Sequence, residues 1–221
     1  MTFIQPNWPA PTQIMAYTTL RTADPHPVGN IPLPSDPIWL DQHTHSATAV
    51  EATPDNKKAI ADASFTNQTN RVCAVLTADC LPILICNKQG THVAAMHAGW
   101  RGLANGIIEA TLAGLRQPAD DLLVWLGPAI GPQKFEVGKD VYDAFVTKHP
   151  ESEHAFKQHA ADKWLADLYQ LAKIRLHKQQ INAIYGGEYC TYTQADLFYS
   201  YRRDKGNSGR LASMIWIGDT K

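Results

Sequence analysis

Two neighbouring stretches decide the reading of this chain: Arg71-Val-Cys-Ala-Val-Leu-Thr-Ala-Asp-Cys80 and His92-Val-Ala-Ala-Met-His-Ala-Gly-Trp-Arg-Gly102. Each begins as a short apolar run, Arg71–Leu76 in one case and His92–Met96 in the other, and stops at polar or glycine residues. Runs of this length, rich in Val and Ala, read as buried strands. If the two strands are neighbours in one sheet, their ends bring Cys80 and His97 to the same pocket, with Arg101 four residues beyond the histidine. A thiol beside an imidazole is the raw material of a zinc site or of a nucleophile–base pair.

Outward from this pair the pattern alternates between strand and helix. Residues 1–37 are proline-rich and irregular, with Met15–Leu20 as a candidate edge strand. Ile38–Leu40 opens another apolar run, and residues 54–60 read as a polar loop. Ile83–Cys86 and Val93–Met96 flank the turn Asn87-Lys-Gln-Gly90. Leu103, Ile107, Ala110 and Gly114 recur at helical spacing and stop before Pro118, which predicts a helix over Gly102–Leu115. Leu122–Leu126 reads as a strand, Val137–Lys148 as a helix and the Leu165–Leu176 stretch as an amphipathic helix, followed by strands at Ile181–Tyr185 and Leu211–Ile217. No repeat and no linker divides the chain. The expectation is one α/β (α+β layered) domain over residues 1–221, a mixed sheet flanked by helices.

Composition narrows the function classes. A 221-residue chain with 44% hydrophobic residues can bury a real core in one domain. A net charge of −1 gives no basic face for nucleic acid. No run approaches the ~18 apolar residues that span a bilayer. The N-terminal stretch lacks the pattern of a signal peptide. The four cysteines, Cys73, Cys80, Cys86 and Cys190, form no CxxC pair, so a reducing cytoplasm is the expected setting. A monomer or weak homo-oligomer is expected.

The chemistry-bearing residues each have a plain alternative. Taken singly, Cys80 is a small buried hydrophobe and His97 a satisfied core histidine. Together at strand ends beside Gly99 and Gly102 they read as metal ligands. A catalytic zinc takes three protein ligands. The third candidate is His43 or His45, which share one side of an extended Gln42-His-Thr-His-Ser46. Asp79 is a general base, a partner of a ligand histidine, or a loop cap. Trp100 stacks on a flat substrate or simply packs. Arg101, ahead of the predicted helix, suits phosphate. Arg202, Arg203 and Arg210 form an anion clamp or a solvated loop. Cys190, in the Gly186-Gly-Glu-Tyr-Cys-Thr-Tyr192 loop, lines a pocket or nothing. Cys73 and Cys86 are structural.

The segments Thr77–Pro82, His97–Gly102, Trp125–Pro132, Phe135–Val137 and Tyr199–Asp204 resemble the laccase-domain family, also called the YfiH or multicopper polyphenol oxidoreductase-like family. The likeness runs from Trp39 to Ile217. It implies a single α/β domain with one Zn²⁺ (Cu²⁺ as the alternative) on two histidines and a cysteine. Cys80 and His97 match two of these ligands. The first histidine falls in Trp39-Leu-Asp-Gln-His-Thr-His-Ser46, where the spacing departs by one residue. His45 is preferred, and His43 is the alternate. A second departure is the short stretch from Arg21 to Asp24, where the family usually carries a Gly-rich loop. The resemblance implies purine nucleoside phosphorolysis, with adenosine deamination and S-methyl-5′-thioadenosine cleavage. The partners would then be a purine nucleoside and phosphate. Arg101, Arg202, Arg203 and Cys190 would bind substrate, and Asp79 would act in catalysis. The alternatives are copper-dependent phenol oxidation, from which the family takes its name, and cell-wall quality control, since one branch is called peptidoglycan editing factor.

Overall fold

The computed structural model describes residues 2–23, 28, 31–40 and 44–219. The apolar runs do form strands, and they lack polar–apolar alternation because most are covered on both faces. In chain order the strands are β1 (Phe3–Ile4), β2 (Ile14–Thr19), β3 (Ala49–Glu51), β4 (Ala63–Thr66), β5 (Cys73–Thr77), β6 (Leu81–Asn87) and β7 (Val93–Ala98). After helices α1 (Trp100–Asn105) and α2 (Ile107–Leu115) come β8 (Leu122–Leu126), β9 (Glu136–Gly138), α3 (Lys139–Val146), β10 (Phe156–Ala160) and β11 (Lys163–Ala166). The chain closes with α4 (Leu168–Lys178), β12 (Ile184–Gly186) and β13 (Leu211–Ile217).

These strands make a six-stranded mixed sheet, β12-β8-β6-β7-β4-β3, a four-stranded sheet, β1-β2-β13-β5, and a small sheet, β10-β11-β9. The two larger sheets pack face to face. Leu84, Cys86, Val93, Ala95, Leu123 and Trp125 from one sheet meet Ile14, Ala16, Cys73, Val75, Ile215 and Ile217 from the other. The alternate residues Ile83, Ile85, Ala94, Met96 and Val124 face a helical layer through Leu103, Ile107, Leu171 and Leu176. The remaining face of the four-stranded sheet, Phe3, Tyr17, Ala74, Met214 and Trp216, lies under Ile31, Leu33 and Trp39. The layered single domain that the sequence predicts is what forms.

Several boundaries differ from expectation, for local reasons. The N-terminal stretch is not wholly irregular, since it supplies β1 and β2, and β2 pairs on both sides rather than closing an edge. Ile38 makes only an isolated bridge to Cys73. The single helix expected over Gly102–Leu115 is two, broken at Gly106, whose φ of +98° is left-handed and ends α1. The expected Val137–Lys148 helix starts later, because Glu136–Gly138 pairs with β11. Leu165 belongs to β11, and α4 begins after Asp167, whose side chain caps Gln170 N at 3.0 Å.

The largest correction concerns the two opening stretches. The strands that end at Thr77 and at Ala98 lie in different sheets. Cys80 reaches His97 because the chain crosses from β5 to the six-stranded sheet and starts β6, which pairs antiparallel with β7. Leu81 lies opposite Ala98 and Pro82 opposite His97, so the start of β6 meets the end of β7.

Candidate metal centre and its cavity

His45, Cys80 and His97 converge, with one ligand atom from each and all three atoms within 4.8 Å of one another. No other group of three such residues forms among the described residues. Cys80 Sγ lies 3.7 Å from His45 Nε2, and the two histidine rings meet edge-on with centroids 4.9 Å apart. A tetrahedral ion with Zn–S of about 2.3 Å and Zn–N of about 2.0–2.1 Å would set its sulfur and nitrogen ligands about 3.6 Å apart. The donor set therefore fits a single zinc-like ion, and thiolate and imidazole also suit copper. His45, the preferred candidate, is the histidine that stands beside Cys80 and His97; its alternate, His43, lies outside the described residues.

Each donor is placed by its own local structure. Cys80 stands at the start of β6, after Asp79, which has a left-handed φ of +80°. His97 is 4% exposed near the end of β7. His45 is itself left-handed, with φ +58°. Gly99 leaves the space: a Cβ there would stand 2.7 Å from His45 Cδ2 and 3.0 Å from Cys80 Sγ.

A residue that sequence reasoning missed completes the arrangement. Asp62, wholly buried, accepts from His97 Nδ1 at 2.8 Å and His45 N at 3.0 Å through Oδ1. Its Oδ2 accepts from Ser46 N and Ser46 Oγ, both at 2.7 Å. Burial alone would raise the Asp62 pKa, but the hydrogen bonds from His97 and Ser46 bring it down to about 2. Burial likewise works against the Cys80 thiolate, and the two imidazoles reverse it, holding the thiol below its ordinary range. The His97 imidazolium, disfavoured by burial, is held above the usual range by Asp62 and Cys80. The one available signal for Asp62 was a carboxylate set between alanines at 61 and 63, in a run otherwise small and apolar. A buried charge there needs partners.

A cavity of about 590 Å³ opens on the three donors, within the range of small-molecule sites. Its polar wall carries Arg101, Arg202 and Arg210, each set over an aromatic ring. Arg101 lies 4.3 Å over Trp100, Arg202 5.5 Å over Phe135 and Arg210 5.9 Å over Tyr201. Arg101 is in the first turn of α1 rather than ahead of a long helix. Phe135 and Tyr201 were not singled out from sequence as cavity residues.

Three expected site residues are placed differently. Arg203 does not line the cavity. Its guanidinium is tied to the carbonyls of Thr191, Tyr192 and Phe198 and to the Asp204 carboxylate. Cys190 also stands outside the lining, where its sulfur accepts from Gly131 N at 3.2 Å. Asp79 lines the cavity, but both its oxygens are occupied. Oδ1 accepts from Thr191 Oγ1 at 2.6 Å, and Oδ2 from Ser200 Oγ at 3.0 Å and Arg202 N at 2.6 Å. That is the loop-capping alternative rather than a free base, and it fixes the segment that carries Arg202.

Residues 28–218 match the family model described as multi-copper polyphenol oxidoreductase laccase. The chain belongs to this family. A purine nucleoside phosphorylase of Pseudomonas aeruginosa is 44% identical over 242 residues, covering 98% of this chain and 99% of the relative. The purine nucleoside phosphorylase YfiH of Escherichia coli is 50% identical over 186 residues, covering 84% and 75%. The crystal structure of a Neisseria meningitidis protein superposes with a TM-score of 0.90 at 38% identity, covering 99% of this chain and all of that one. YlmD of Geobacillus stearothermophilus shares the fold at a TM-score of 0.85 and 23% identity.

Proposed function

We propose that this protein is a metal-dependent purine nucleoside phosphorylase. The proposed ion is Zn²⁺ on His45, Cys80 and His97, with the same cavity serving adenosine deamination and S-methyl-5′-thioadenosine phosphorolysis. The observation that carries the reading is the meeting of one three-donor centre with ring-supported arginines in one cavity, in a chain whose near relatives bear the phosphorylase name. Three protein donors leave a coordination position for water or substrate, unlike the four of a structural zinc. When bound, the ion supplies Lewis-acid polarisation and a water of lowered pKa.

The chain's own residues do the rest. Arg101 and Arg202 hold phosphate, each guanidinium capable of a bidentate contact and set over a ring, Trp100 and Phe135 respectively. The Glu136 carbonyl fixes Arg202 further, accepting from Nη1 at 3.0 Å. Leu76, Ile130 and Phe135 give the flat purine an apolar wall. In phosphorolysis the C1′–N9 bond breaks, a phosphate oxygen bonds C1′, and the departing purine takes up a proton. The arginines bring the nucleophile to C1′ and hold its charge there.

Copper-dependent phenol oxidation is the second reading, carried by the family description and by donors that also suit copper. One experiment separates the two. Adenosine, inosine and S-methyl-5′-thioadenosine are each incubated with and without phosphate, aerobically and anaerobically, and products are resolved by chromatography beside a metal assay. Purine release that requires phosphate and ignores oxygen is expected. Cys80→Ala should lower it by on the order of 10²-fold or more, as losing a charge-stabilising group does. Full phosphorolysis and full metal content in Cys80→Ala would sink the proposal, as would phenol oxidation without phosphorolysis.

A further inference from the structure

We infer that Asp62 is the positioning residue of the metal centre: one buried carboxylate aligns both histidine donors and selects which nitrogen of His97 faces the ion. This rests on the metal-centre reading above. Asp62 Oδ1 is shared between His97 Nδ1 at 2.8 Å and His45 N at 3.0 Å, so a single oxygen links the two histidine-bearing segments. A carboxylate accepting from Nδ1 keeps the proton on that atom and leaves Nε2 as the metal donor. Oδ2 takes Ser46 N and Ser46 Oγ at 2.7 Å each, with Thr44 Oγ1 further off at 3.4 Å. These bonds grip the residues on either side of His45, whose φ of +58° is one that L residues seldom hold unaided. Asp62 is itself rigid. It precedes β4, its carbonyl accepts His97 N at 2.7 Å, and its side chain is fully excluded from solvent. Asp62 itself is not among the residues lining the cavity, whereas His45 and His97 are. It therefore acts through the histidines alone.

The test uses Asp62→Asn, close in volume but a weaker and only partly accepting partner, and Ser46→Ala, which removes one contact to Oδ2. Zinc and cobalt affinities are measured by competition with a chromophoric chelator. The His97 ring nitrogens are assigned by ¹⁵N NMR in metal-free and zinc-loaded protein. The wild-type protein should show the Nδ1-protonated form in the zinc-loaded state. Asp62→Asn should bind zinc ~10- to 100-fold more weakly, the usual cost of losing such a partner, and should lose the single tautomer. Ser46→Ala should lose less affinity and keep the tautomer. A wild-type His97 protonated on Nε2, or wild-type zinc affinity in a folded Asp62→Asn, overturns the inference. If Asp62→Asn does not fold, the wild-type tautomer still decides it. Failure of the phosphorylase reading would appear separately, as absent phosphorolysis with zinc affinity and tautomer intact.

Discussion

Gly99 shows how much of the centre depends on a missing atom. Its backbone is ordinary, with φ −67° and ψ 165°, so alanine there is not strained by conformation. The obstacle is space, since a methyl would press on His45 Cδ2 and Cys80 Sγ together. The cheapest relief is rotation of the His45 ring out of the cluster. Gly99→Ala should therefore keep its far-ultraviolet circular dichroism while losing zinc affinity by on the order of 10- to 100-fold, read by the same chelator competition. Unchanged affinity would mean that the cluster has slack the distances do not show. At this scale the sequence was informative about Cys80, His97 and His45, because they stand in long, distinctive segments. It was silent on Asp62, whose partners lie 16 to 35 positions away and which carries no local pattern of its own. Arg203 and Cys190, singled out with the others, do not line the cavity, and a charged or thiol-bearing loop looks alike in sequence whether its groups face a cavity or their own backbone.

Elements whose limits are written in their own residues were legible. Leu122–Leu126 and Leu211–Ile217 form the strands their composition predicts. The helix following the HisAlaGlyTrpArgGly segment was legible only in part, because an isolated glycine in a helical pattern does not announce whether it will be left-handed. Gly106 is, and its left-handed backbone ends α1 and starts α2. Gly106→Ala should cost about 1–2 kcal/mol, the penalty of forcing a Cβ into left-handed backbone. The check is a lower urea midpoint with an unchanged slope. A variant as stable as the parent would show that the two helices can merge into one. The pairing of β5 with β13 was beyond reach, since it joins residues more than 130 positions apart and leaves no periodic mark in either run.

On the scale of the whole molecule, the interface between the two large sheets sets the behaviour of the thiols. Cys73 and Cys86 both lie there, fully buried, and burial pushes each up to about 12. An unfolded thiol releases its proton near 9.0, so between pH 9 and 12 the unfolded chain ionises where the folded one holds its protons. Stability from these two groups is complete below pH 9 and declines as pH rises through that window. The urea midpoint of the wild-type protein should thus fall more steeply between pH 8.5 and about 10.5 than that of a Cys73→Ala/Cys86→Ala variant. Equal slopes would remove the thiols from the account. Among the described residues, no helix is long and apolar enough to cross a membrane.

The crossing from β5 to β6 carries a consequence for how the proposed ion would be acquired. Because the cysteine enters one layer only after its chain has left another, and the histidines arrive from two further places, an emerging polypeptide offers no ready-made trap for stray cations. On the proposed metal reading, occupancy would await completed architecture, and the shape of the finished vestibule, rather than the order in which ligands are synthesised, would govern which element is admitted.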